Sequence, residues 1–180
     1  MMKTKDLAAT GLMAALMAVC AWISVPTAVP FTLQTFAIFL AVGVLGGKLG
    51  SLAVGVYLLL GAVGLPVYSG FRGGLGALAG TTGGYLVGFL LMALVMWLGE
   101  KLFGGGTPVF LLSGVAGLAV CYGFGTAWYL LLYTASAGPV SLWAVLGSCV
   151  FPFLIPDGVK LVLACLVSRR VAAALPRAAR

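Results

Sequence analysis

From Leu7 to Ser168 the chain carries only six formal charges: Lys48, Arg72, Glu100, Lys101, Asp157 and Lys160. Uncharged stretches of that length leave little choice of solvent. Hydrophobic residues make up 63% of the chain and charged ones 7%, against about 25% charged in a soluble domain. The sequence therefore reads as an integral membrane protein. Peptide groups in hydrocarbon must be satisfied within their own segment, so apolar runs of this kind are helical, and each crossing needs about 20 residues. The 180 residues accommodate six spans with short loops in one membrane domain, 1–180. The apolar runs place the spans at about 7–25, 32–45, 51–65, 85–102, 109–133 and 157–174.

The breaks between runs are made by proline and glycine. Ser24–Pro30 holds two prolines that cannot continue the first helix. Gly104–Pro108 is a turn, and residues 136–153 are ambiguous, with Trp143 suggesting an interface and Pro152 and Pro156 interrupting. The stretch Pro66–Tyr85 is too rich in glycine for a plain helix and too apolar for a solvated linker. It is expected to form a lid or re-entrant loop over the protein.

Charge fixes the orientation. With six spans, Lys3, Lys5, Lys48, Lys101, Arg169, Arg170, Arg177 and Arg180 share one side, and only Arg72 falls on the other. The positive-inside rule then makes both termini cytoplasmic. The net charge of +7 is accordingly a topology signal, and no basic patch interleaved with aromatics points to nucleic acid. Lys3 and Lys5 before an apolar run resemble a signal peptide, but the membrane character of the rest favours a retained first span. Cys20, Cys121, Cys149 and Cys165 stand singly in apolar surroundings, histidine is absent, and the thiols read as packing residues rather than metal or redox groups.

Enzyme chemistry has little material. Besides Asp157 the acids are Asp6 and Glu100, both at cytoplasmic edges, so neither a carboxylate pair nor a nucleophile–histidine set can be built. Gly74–Ala79 matches a dinucleotide glycine pattern without the strand that pattern requires, and Gly46–Gly47–Lys48 is followed by Leu49 where a phosphate loop needs Ser or Thr. The exception is Phe151–Lys160. Asp157 and Lys160 are three residues apart, hence on one helix face, in a run where a central charge costs roughly 2.5–3.5 kcal/mol. Two readings stand: a self-neutralising pair that fixes the last helix, or a ligand site. Gln34 and the glycine-rich stretch fall at the same outer end as the pair. Ala14 and Ala18 have the small-xxx-small spacing that lets another helix approach.

Four segments carry a resemblance: Val29–Thr35 (VPFTLQT), Tyr57–Val67 (YLLLGAVGLPV), Gly80–Phe89 (GTTGGYLVGF) and Phe151–Lys160 (FPFLIPDGVK). Together they resemble the BioY family, the biotin-binding S components of energy-coupling factor transporters, over nearly the whole chain. Thr81 stands where that family commonly has proline, and Arg72 where a small or polar residue is usual. The resemblance implies a six-helix, all-α protein of the prokaryotic plasma membrane that binds biotin from outside. It also implies a transmembrane coupling protein and two ATPases as partners, and no cofactor. Asp157 and Lys160 would contact the ureido ring, while Tyr85 with Gly73 and Gly74 would close the pocket. Ala14 and Ala18 would meet the coupling subunit. Chemistry agrees: a carboxylate accepts from ureido N–H groups and an ammonium donates to the carbonyl. Phe31, Tyr68 and Phe71 could cover the apolar ring or pack elsewhere, Gln34 could bond ligand or cap a helix, and the lone outer Arg72 could take a carboxylate. A passive facilitator and an S component for another vitamin are the alternative readings.

Overall fold

The computed structural model describes residues 3–27 and 29–174. Among these residues eight α-helices follow in order: α1 (Thr4–Trp22), α2 (Gln34–Leu45), α3 (Gly47–Ala62), α4 (Leu75–Ala79), α5 (Gly83–Phe103), α6 (Thr107–Ala137), α7 (Leu142–Cys149) and α8 (Phe151–Ala174). Two-residue strands, β1 (Ser24–Val25) and β2 (Phe31–Thr32), pair antiparallel between α1 and α2. Among the described residues, four segments are long and apolar enough to cross a membrane: Thr4–Trp22, Gly83–Phe103, Thr107–Ala137 and Leu142–Val171. Two shorter apolar helices, α2 and α3, complete the set.

Helix ends follow local chemistry. The Thr32 hydroxyl accepts from the Gln34 N–H at 3.1 Å and so starts α2. Gly46 at φ 79° takes the left-handed turn that reverses α2 into α3. The Glu100 carboxylate then accepts the Gly47 N–H, placing an anion at the positive end of α3. Lys3, Lys5, Glu100 and Arg169 line one cavity of about 800 Å³. The start of α1, the α2–α3 turn and the ends of α5 and α8 thus gather at one end of the bundle. The β1–β2 ribbon and the segment between α3 and α5 lie at the other.

Several expected limits shift. The first apolar run ends at Trp22, because Ser24 and Val25 enter the ribbon. The last helix starts at Phe151 rather than 157 and runs through Pro156. Proline removes one i→i−4 bond without preventing the rest, and near the end of a well-packed helix the loss is tolerated. Residues 142–149 form a helix of their own. Arg177 and Arg180 lie outside the described residues.

The core holds the inner faces of α1, α2, α3 and α5, with Leu118 and Cys121 of α6 and Leu161 and Ala164 of α8. Ala14 and Ala18 belong to it, 1% and 6% exposed. Their small side chains thus pack inside this chain, where α1 lies against α2 and α3.

The Pro66–Tyr85 stretch is more ordered than a loop. It contains a 3₁₀ turn at Ser69–Phe71 and the short α4. Tyr68 anchors it, 2% exposed, donating to the Leu58 carbonyl at 2.7 Å. Burial pushes its phenol up to about 12, so it remains a donor at any physiological pH. The ring lies against Gly61, where any Cβ would overlap it. Gly61→Val should therefore unseat Tyr68 at an overpacking cost of about 1–3 kcal/mol. The checks are a lowered melting temperature in detergent and faster proteolysis within residues 63–82. Gly55→Val on the same helix, with nothing within 4 Å of its Cβ, should do neither.

Candidate ligand site

Asp157 and Lys160 project from α8 and are 2% and 6% exposed, with Lys160 Nζ 2.7 Å from Asp157 Oδ1. Two threonines of the α2 entry complete the arrangement. The Thr35 hydroxyl donates to Asp157 Oδ1 at 2.9 Å, and Lys160 donates to the Thr32 carbonyl at 2.6 Å and to Thr35 Oγ1 at 3.2 Å. The other carboxylate oxygen, Oδ2, accepts from the Tyr122 hydroxyl of α6 at 2.6 Å. Phe31 places its ring 4.2 Å from the ammonium, a cation–π contact, and leans on Phe153 at 5.8 Å.

The pair borders a cavity shared by Thr35, Tyr85, Phe89, Tyr122, Cys149 and Phe153. Val29, Pro30, Thr32, Tyr85 and Phe89 of its wall also line a neighbouring lobe, which reaches Gln34, Tyr68, Ser69, Arg72 and Thr82. The first lobe has a volume of about 40 Å³ and the second about 50 Å³, room for roughly one or two waters each. A bicyclic ligand would have to part the ribbon or the cover to enter. One end of the two-lobed space is ionic, its middle is aromatic and aliphatic, and Arg72 lies at the far end.

Most of the residues expected from sequence converge here, in different roles. Tyr85 is the partition between the lobes. It is seated on Gly125, where a Cβ would overlap its ring, and its hydroxyl lies 3.2 Å from Thr126 Oγ1. Gln34 is 2% exposed and donates from Nε2 to the Tyr57 hydroxyl at 2.9 Å, while Tyr57 donates to the Val67 carbonyl at 3.0 Å. Gln34 thereby ties α2 to the base of the cover as well as lining the second lobe. Arg72 is exposed, and its Nε donates to the Ser69 carbonyl at 3.2 Å.

Gly73 and Gly74 line neither lobe. Gly73 passes so close to the Leu65 carbonyl that a side chain would collide, and Gly74 sits at φ 89° with its N–H donated to the Gly61 carbonyl at 2.7 Å. Their part is to let the cover turn. Phe71 faces outward, 64% exposed, stacked on Trp22 at 5.1 Å. Thr32, Thr35 and Tyr122 went unread in the sequence analysis. The threonines lie inside the VPFTLQT segment, but Tyr122 has no local signal beyond being a hydroxyl in a long apolar helix.

A helical membrane protein with a deeply buried acid–base pair facing a two-lobed cavity is, by class, a receptor or carrier for a small polar solute. The chain belongs to the BioY family: the sequence model of that family matches residues 1–177. The biotin transporter BioY of Thermotoga maritima is 44% identical over 169 residues, 93% of this chain and 95% of that relative. A probable biotin transporter BioY of Pyrococcus horikoshii is 37% identical over 171 residues, 94% and 98% of the two chains. The fold is similar to a crystal structure of the S component for biotin from an ECF-type ABC transporter, with a TM-score of 0.81 at 26% identity. That match covers 96% of this chain and 95% of the other.

Proposed function

We propose that this chain is the biotin-capturing membrane subunit of an energy-coupling factor transporter. The supporting observation is the Asp157–Lys160 pair, buried at a cavity wall, where the ammonium holds a carboxylate in place as an acceptor for ligand N–H groups. A ureido ring offers the complementary edge, and the apolar middle of the cavity suits a thiophane ring and aliphatic chain. Arg72, at the mouth of the second lobe, would receive the carboxylate. The residues Pro66–Tyr85 would act as an outward lid, with the charged end of the bundle and both termini in the cytoplasm and the chain crossing a prokaryotic plasma membrane six times as one domain. A transmembrane coupling protein and two ABC-type ATPases would supply the energy, since the sequence offers no phosphate loop of its own.

Purified protein in detergent, warmed with a panel of vitamins, tests this reading. Biotin should raise the melting temperature by several degrees at saturating concentration, as a ligand at 100 times its Kd adds about 2.7 kcal/mol, while thiamine and riboflavin should leave it unchanged. A shift with another vitamin and none with biotin would reassign the substrate. Reconstitution in vesicles with and without the coupling protein and ATPases then decides whether uptake needs them.

A further inference from the structure

We infer that Tyr122 is the residue that recognises the ureido carbonyl, trading its hydroxyl proton from Asp157 to the ligand as the ligand's N–H takes its place. This deepens the biotin reading and rests on it. The argument begins with an inventory of donors. Lys160 has three N–H protons, and three acceptors lie within reach: the Thr32 carbonyl at 2.6 Å, Asp157 Oδ1 at 2.7 Å and Thr35 Oγ1 at 3.2 Å. The ammonium is already saturated by the protein. Oδ1 of Asp157 is similarly occupied, taking Lys160 and Thr35. Oδ2 takes Tyr122 alone, so that oxygen has room for one more donor.

At Oδ2 an acceptor and a hydroxyl donor lie side by side on one cavity wall, the pairing that one edge of a cyclic urea needs. Amide bond lengths place the nitrogen and oxygen of one N–C=O unit about 2.3 Å apart. Asp157 Oδ2 and Tyr122 Oη are 2.6 Å apart, and both residues line the same lobe. A ureido edge laid against them puts its N–H on Oδ2 and its carbonyl against Oη. The Tyr122 hydroxyl turns about its C–O bond to donate to that carbonyl, and its oxygen draws back from Oδ2 by roughly half an ångström, because the 2.6 Å spacing lasts only while the shared proton lies between the two oxygens. Every donor and acceptor remains paired: the carboxylate exchanges one O–H donor for one N–H donor, and the hydroxyl exchanges one oxygen acceptor for another. Lys160 keeps the carboxylate oriented without having to give up a bond. Tyr122 consequently reads the carbonyl oxygen, and it should penalise analogues in which that atom accepts poorly.

The test compares biotin with 2-thiobiotin, whose thiocarbonyl is a weaker acceptor on the same ring, by equilibrium titration of wild-type and variant protein in detergent. Tyr122→Phe should weaken biotin about 10-fold, the scale of one buried acceptor left unpaired. The thio analogue should weaken much less, so the preference for biotin should narrow by nearly the same factor. Thr35→Val, which removes a hydroxyl from the same carboxylate on the side away from Tyr122, should weaken both ligands alike and leave the preference intact. An unchanged preference in Tyr122→Phe would overturn the inference, as would tighter binding of both ligands. Should Tyr122→Phe fail to purify, 3-fluorotyrosine at position 122, a stronger donor of similar size, should widen the preference, and no change there overturns the inference equally. Wild-type protein that binds biotin while failing these tests leaves the biotin reading standing; wild-type protein that binds neither ligand removes both.

Discussion

Asp157→Asn is expected to weaken biotin binding by about 100-fold or more while the protein still purifies as a folded monodisperse species, with a lowered melting temperature because Lys160 loses its counter-ion. The carboxylate accepts from Lys160, Thr35 and Tyr122, and hydrogen bonds to a charged group contribute about 1.5–3 kcal/mol each. The amide keeps one acceptor oxygen, which Lys160 and Thr35 will claim. Its NH₂ is then turned towards Tyr122 and the incoming ureido N–H, so a donor faces a donor where the ligand needs an acceptor. Isothermal titration gives the affinity, and size-exclusion chromatography with a detergent melt gives the state of the fold. Binding within threefold of wild type would move the site away from Asp157 and take the ureido assignment with it.

Legibility of this site from sequence followed a physical rule. Asp157 and Lys160 stood out because an acid and a base three residues apart are anomalous inside an apolar run, and the anomaly is local. Tyr122 reaches the same carboxylate from a different helix, 35 residues away, and a tyrosine in a long span is equally at home packing or sitting at an interface. Only the crossing of α6 over α8 reveals its role. Thr35 is 122 residues from its partner and is small enough to pass for a packing residue.

The two alanines of α1 teach a related lesson. Small-xxx-small spacing in α1 correctly announces a close helix neighbour, but spacing does not say whose helix it is. Ala14 and Ala18 are buried in the core of this chain. Pro156 misled for another reason. A proline forbids one hydrogen bond and disfavours the residue before it, yet α8 retains enough packing against α2 and α6 to carry the helix through. Pattern reading supplied the apolar segments, their order and their charged end. It could not supply the two short strands, whose pairing depends on where α1 and α2 stop.

Removing the other half of the pair separates folding from function. Lys160→Met leaves Asp157 buried beside Thr35 and Tyr122 with no cation, and breaking one side of a buried pair typically costs about 3–5 kcal/mol. The variant should melt well below wild type in detergent and bind biotin poorly. Combining it with Asp157→Asn removes both charges, and replacing a whole buried pair with neutral groups is often nearly free or stabilising. The double variant should therefore recover most of the lost melting temperature, a strong coupling of the kind expected for residues in direct contact. It should not recover binding, because neither the charged acceptor nor the ammonium that orients it remains. Full thermal recovery with no ligand response would mean that the pair is retained for the solute rather than for the helix. A double variant whose destabilisation equals the sum of the two singles would instead show that the side chains act independently, and the shared network of Thr32, Thr35 and Tyr122 around them would lose its role as a single recognition unit.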